Sequence, residues 1–170
     1  IVNASDIVAL GHYTLANAVA STDIDGGVAI GSYSQAEMKT GQGNVSVGFR
    51  ALQADVNGDY STAIGYEALR NQTGISGQVG NTAVGRRAGY EITSGKENTF
   101  MGFNSGDATT TGLHNTALGS QALSTNVDGD HNTVVGYASL YTFEASSDGN
   151  GKNSSVGSNS MFHISTGQFN

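Results

Sequence analysis

A glycine recurs through this chain at Gly11, Gly31, Gly48, Gly65, Gly85, Gly102, Gly119, Gly136 and Gly157, at spacings of 20, 17, 17, 20, 17, 17, 17 and 21 residues. Around each glycine the same frame returns, most fully as Asn81-Thr82-Ala83-Val84-Gly85-Arg86-Arg87-Ala88-Gly89. A period near 17, relaxed only by short inserts, is what a solenoid with one coil per repeat leaves in a sequence, and it is too short for a helix pair.

Immediately before the glycine stand Leu10, Ile30, Val47, Ile64, Val84, Met101, Leu118, Val135 and Val156, apolar in every copy. Two residues earlier come Val8, Val28, Val45, Thr62, Thr82, Thr99, Thr116, Thr133 and Ser154, nearly all β-branched and strand-favouring. Alternation along a strand puts these two columns on one face, and their apolar character predicts that this face points into the core. The column between them reads Ala9, Ala29, Ser46, Ala63, Ala83, Phe100, Ala117, Val134 and Ser155. It faces the other way and is not a solvated surface, which predicts a contact between chains.

After the glycine, the third position is always small (Ala51, Ala68, Ala88 and Ala122 among others) and the fourth is often Leu15, Leu52, Leu69, Leu123, Leu140 or Met161, a corner followed by another inward residue. The recurring glycine predicts a positive φ or an approach too close for a Cβ. Asn44, Asn81, Asn98, Asn115, Asn132 and Asn153 open six copies and predict a stacked side-chain amide ladder. Gly41, Gly58, Gly95, Gly112 and Gly129 mark a second corner, so each coil is two short strands and two turns. Residues 1–170 read as one all-β domain, a parallel β-solenoid of about nine 17-residue coils.

The Asn-Thr-Ala-Val-Gly-x-x-Ala frame resembles the Asn-Ser-Val-Ala-Ile-Gly head repeat of YadA-type trimeric adhesins, and still more the repeats of phage tail fibres and related bacterial surface fibres. The resemblance runs from about Ile7 to Met161. It departs in placing Thr three residues before the glycine and in a longer period. It implies a left-handed parallel β-roll assembled as a homotrimer. Under that reading Ala9, Ala29, Ala63, Ala83, Phe100, Ala117 and Val134 form the trimer interface. It also implies an adhesin or tail-fibre module on a cell surface or virion, attached to a host receptor.

Fourteen acids against seven bases give a net charge of −7, which argues against nucleic-acid or anionic-membrane partners. There is no cysteine for disulfides or thiolate metal sites, and no apolar run of membrane-spanning length. The chain opens on Ile1 without a leader or an obvious polar cap, so it is expected to be a piece of a longer fibre. The long spacings place inserts at 16–26, 70–80 and 141–152, in one half of the repeat and so on one edge of the solenoid.

Candidate chemistry is sparse. Phe49, Tyr66, Arg86 and Phe103 follow the glycine on consecutive coils, with Tyr137 two coils further. Stacked, they form a ridge with Arg86 between rings, next to Arg50, Glu67 and Arg87, and such a ridge suits the apolar faces of a carbohydrate receptor. Asn126-Val127-Asp128-Gly129-Asp130, and Asp23-Ile24-Asp25-Gly26 more weakly, are fragments of a calcium loop, but the EF-hand glutamate position holds Val135 and the same residues make ordinary turns. His114 and His131 share a column; a pair of imidazoles is a weak metal signal beside the simpler reading as surface turn residues. No metal site or cofactor is expected. There is no Gly-x-Ser-x-Gly elbow, phosphate loop or His-Glu-x-x-His, and no column collects carboxylates, so catalytic residues are expected to be absent. The alternatives to a fibre are an ice- or polysaccharide-binding solenoid, suggested by the Thr62, Thr82, Thr99, Thr116, Thr133 file, and a glycan-degrading tailspike. The inward assignment of that file argues against ice.

Overall fold

In the computed structural model, residues 6–18, 24–73, 77–143 and 151–164 are described, and among them the chain is a parallel β-solenoid without helix. The repeated strand appears nine times: Val8–Leu10, Val28–Ile30, Val45–Val47, Thr62–Ile64, Thr82–Val84, Thr99–Met101, Thr116–Leu118, Thr133–Val135 and Ser154–Val156. All nine pair in sequence order in one parallel sheet, which makes about eight turns. The register is column on column, Thr82 beside Thr99 and Ala83 beside Phe100. The second edge is strand-like only in places, as in Gly41–Gln42 and Gly58–Asp59. Coils are numbered below by their glycine, Gly11 in the first and Gly157 in the ninth.

The glycine answers both expectations made for it. Gly85 has φ +138, and a Cβ on it would overlap the carbonyl oxygen of Gly102 in the next coil. Any side chain there would strain the backbone and push the coils apart.

The two faces of the strand are opposite to the expectation from sequence. Ala29, Ala63, Ala83, Phe100, Ala117 and Val134 are the inward column, at most 1% exposed, and Ser46 and Ser155 are buried with them. They cannot form an interface between chains, because their side chains already lie inside their own coil. Ala9, on the first strand of the sheet, is exposed there. The β-branched and aliphatic columns point outward: Leu10 is 67% exposed, Met101 48% and Val156 72%, while Val47, Val84, Leu118 and Val135 are half-covered by their neighbours in the file. The physical reason is width. The corner beyond the glycine turns Leu52, Leu69, Leu123 and Leu140 back into the coil with full burial, and against those leucines the strand has room for little more than a methyl group.

The filling of that narrow interior is adjusted coil by coil. Phe100 replaces alanine in the inward column, and the leucine position is glycine on its own coil and on the one before it, at Gly106 and Gly89; a Cβ on Gly106 would lie 2.6 Å from the Phe100 ring. On coils two and three the same two columns are polar together. Gln35 Nε2 donates to Ser46 Oγ at 2.9 Å, and the Ser34 and Ser46 hydroxyls bond at 2.5 Å. Size and polarity are matched across the pair of columns, so the core stays close-packed and the Ser34, Gln35 and Ser46 side chains bond one another.

The asparagine ladder forms as expected. Asn98 Nδ2 donates to the Gly112 carbonyl at 2.8 Å, its Oδ1 accepts the Asn115 N–H at 2.9 Å, and its own N–H donates to Asn81 Oδ1 at 2.9 Å, tying three successive coils at the corner. Asn115 repeats the pattern to Gly129 and Asn132. Ser61 interrupts the file on coil four, and Gln72 reaches across to bond both Ser61 and Asn81. The turns carry a second recurring feature: the leucine of the corner sits in the left-handed region, at φ 53 for Leu52, 48 for Leu69, 53 for Leu123 and 46 for Leu140. The central parts of the three inserts, 19–23, 74–76 and 144–150, lie outside the described residues.

Candidate functional site

Two surfaces stand out on this rod. The first is the outward face of the sheet. Two files run along it, one of Thr62, Thr82, Thr99 and Thr116 with their valine and serine counterparts, the other of Ile30, Val47, Ile64, Val84, Met101, Leu118 and Val135. Neither file holds a charged residue in any of the nine coils. At ~4.8 Å per step the face runs roughly 38 Å in unbroken register. An uncharged, largely aliphatic strip of that length is larger than a lone soluble chain normally leaves bare.

The second surface is the ridge on the edge just past the glycines. Phe49 and Tyr66 stack at 5.4 Å, and the Arg86 guanidinium lies 5.8 Å from the Tyr66 ring and 5.2 Å from the Phe103 ring. The structure therefore brings together four of the five ridge residues expected from sequence. Tyr137 is on the same edge and exposed, but stacks on no other ring among the described residues. The row also extends further than its column. Tyr13 and Tyr33, one position along, stack at 5.3 Å, and Tyr33 meets Phe49 edge-on at 6.2 Å. Arg50 lies 4.9 Å over Phe49 and Arg87 4.0 Å over Tyr90. Tyr90 also accepts a short hydrogen bond from Arg70. The sequence signal for these extra members was available in the neighbouring columns, since a one-residue stagger around a tight corner still places side chains side by side.

Charges on the ridge are mostly paired. Glu67 lies 3.8 Å from both Arg50 and Arg70, and Asp107 lies 3.7 Å from Arg87. Burial pushes the Asp107 carboxyl above the usual carboxylate range, with Arg87 pulling it back. Arg86 is exposed and is held by rings, with no acid at ion-pair distance among the described residues.

The remaining candidates are occupied by turn chemistry. Asn126 caps its own turn through the Gly129 N–H at 3.0 Å, Asp128 accepts from the Thr111 hydroxyl at 2.7 Å, and Asp130 accepts the Leu113 N–H at 2.7 Å. These oxygens are spent on the preceding coil and do not converge. Asp23 lies outside the described residues. His114 and His131 stack face to face at 4.8 Å, and His114 Nδ1 lies 3.2 Å from Glu97, the residue one coil before it in the same column. Parallel rings direct their nitrogens side by side, and among the described residues no three His, Asp or Glu side chains gather in a metal-sized cluster. No helix among the described residues is long and apolar enough to cross a membrane.

Fold and surfaces define a parallel β-solenoid with one bare apolar sheet face and one aromatic and arginine-bearing edge. Comparison with known proteins adds no relative: no family model matches the chain, and neither a curated protein nor a solved structure matches it.

Proposed function

We propose that this chain is a non-enzymatic module of an extracellular or virion fibre: a left-handed roll of about nine coils, joined three to a rod, that carries or presents a receptor-binding surface. The observation that supports it is the uncharged outward face, 38 Å or so of threonine and aliphatic side chains at ~4.8 Å per coil, which needs a cover in water. Three narrow faces turned toward one axis would cover one another along their whole length, a closed heterologous ring, and the resemblance to trimeric fibres selects three. Sedimentation equilibrium tests it: the wild type is expected at three times 17.4 kDa, and Val84→Asp combined with Leu118→Asp is expected to give a folded monomer. A wild-type monomer at micromolar concentration would refute the trimer.

A second reading rests on the same face. The threonine file points outward, which removes the objection drawn from sequence to a surface-lattice binder such as an ice-binding solenoid. The two readings make opposite demands, because a face buried in a trimer cannot meet ice. A monomer with thermal hysteresis would favour the second; a trimer without it, the first.

A further inference from the structure

The distribution of arginine on this rod carries more than the attachment reading. The chain has four arginines, Arg50, Arg70, Arg86 and Arg87, and a net charge of −7, yet all four stand on the one edge that bears the aromatic row, within coils three to five. Ordinary solvation would scatter them. Three are balanced by Glu67 and Asp107, whose side chains are the less exposed members of each pair, so the arginines form the outer layer. Arg86 has no acid at ion-pair distance among the described residues, only the longer-range attraction of Asp107, and lies between Tyr66 and Phe103.

The same edge also has unused hydrogen-bonding capacity. Of the five covered side-chain atoms without a hydrogen-bond partner among the described residues, four belong to it: the donors Arg50 Nε and Arg87 Nε, and the acceptors Asn104 Oδ1 and Asp107 Oδ1, the last facing Arg87 at ion-pair distance. Their side chains are only part-covered, 36% exposed for Arg50 and 29% for Arg87, so rotation brings these groups to a ligand. Unmet donors and acceptors side by side suit a partner rich in hydroxyls, which gives and accepts at one atom. The ring row suits the apolar faces of sugars, and its repeat along the rod suits a repeating chain. An exposed guanidinium held between rings with no acid at ion-pair distance suits a carboxylate, to which it bonds in bidentate fashion.

We infer that the edge formed by Tyr33, Phe49, Arg50, Tyr66, Arg86 and Phe103 is a binding site for an acidic polysaccharide, its carboxylate on Arg86 and its sugar rings along the aromatic row. Nucleic acid fits less well, since phosphate oxygens only accept and leave the covered Asn104 Oδ1 acceptor unmet, whereas a sugar hydroxyl can donate to it. The site rests on the attachment reading, and it names the chemistry of the receptor.

The experiment uses the purified protein at low salt with a polyuronate oligosaccharide and the same oligosaccharide after carboxyl reduction, followed by calorimetry. Binding of the polyuronate and a loss of about tenfold or more on carboxyl reduction are expected, the scale of one charge-assisted bond. Arg86→Gln is expected to weaken the polyuronate by a similar factor and to remove the distinction between the two sugars, while Lys96→Gln, away from this edge, changes neither. Equal affinity for the two sugars, no binding of either, tighter binding of a single-stranded DNA of equal charge, or an unaffected Arg86→Gln would each overturn the site. The reduced-sugar comparison needs no variant, so misfolding cannot mask the result. Sedimentation of the same samples separates the two questions: a trimer that ignores the polyuronate refutes the site alone, and a monomer refutes the fibre.

Discussion

Phe100 and Gly106 offer the sharpest test of how the interior is filled. Phe100 is fully buried, and its ring occupies the space that a leucine takes on other coils. Phe100→Ala removes that ring and leaves a cavity facing two glycines, at a cost of about 3–5 kcal/mol. Gly106→Leu alone drives a side chain into the ring from a Cβ that would start 2.6 Å away. Overpacking and the left-handed backbone together put it at roughly 2–4 kcal/mol. The double variant recreates the alanine and leucine pairing of the other coils, where leucine is tolerated at the same backbone conformation, as at Leu123 with φ 53. It is expected to lose only ~1–2 kcal/mol, so the singles are non-additive by about 3 kcal/mol or more. Urea unfolding followed by far-UV circular dichroism, at one protomer concentration for all variants, measures the cycle. Additivity within ~0.5 kcal/mol would show that these positions do not share one space, and the account of the core would fail.

Further expectations follow from single groups. Burial raises the Asp55 carboxyl above its usual range, against hydrogen bonds from Gly58, Gln72 and Asn57, so the folded state prefers the proton and Asp55's contribution is lost as pH rises through its folded pKa. Relative to Asp55→Asn, the wild type is therefore expected to lose stability between acid and neutral pH in urea melts, and a wild type that gains stability over the variant as pH rises would contradict this. Gly102→Ala is expected to cost roughly 3 kcal/mol or more, because its Cβ meets the Gly119 backbone at φ +137; an unchanged melting temperature would deny the close stacking. EDTA is expected to leave the melting temperature unchanged, since Asp128 and Asp130 are engaged by Thr111 and Leu113, and a loss restored by calcium would reverse that reading. Val84→Asp alone is expected to leave the coil folded, because Val84 lies on the outward face; collapse of the circular dichroism of an isolated protomer would put it back inside.

Periodicity made the coil, its corners, the glycine contact and the asparagine ladder legible before any coordinates. The direction of the strand was not. With both faces free of charge, hydropathy gives no preference, and the more apolar column was assigned to the core when a narrow coil demands the smaller one. The deciding signal was in the sequence as compensation between columns. Phe100 appears where Gly89 and Gly106 stand, and Ser46 where Gln35 stands. Residues that trade volume or polarity are touching, and so share an inside. The ridge was read for the opposite reason: Phe49, Tyr66, Arg86 and Phe103 share one column, and same-column neighbours in a parallel stack must be adjacent. Arg70 and Tyr90 were missed because they belong to a column four residues further round the corner.

The left-handed leucines have a consequence for how the rod comes into being. Leu52, Leu69, Leu123 and Leu140, with Arg50, Glu67, Gln121 and Ala138 two residues before them, give each such coil two residues at positive φ. That conformation costs L-residues about 1–2 kcal/mol apiece, and the contacts that compensate it come from the coils above and below. A single coil released from the stack should therefore not keep its shape. Formation must begin with a pair of turns that hold each other and then advance one turn at a time, each finished rung serving as the mould for the next.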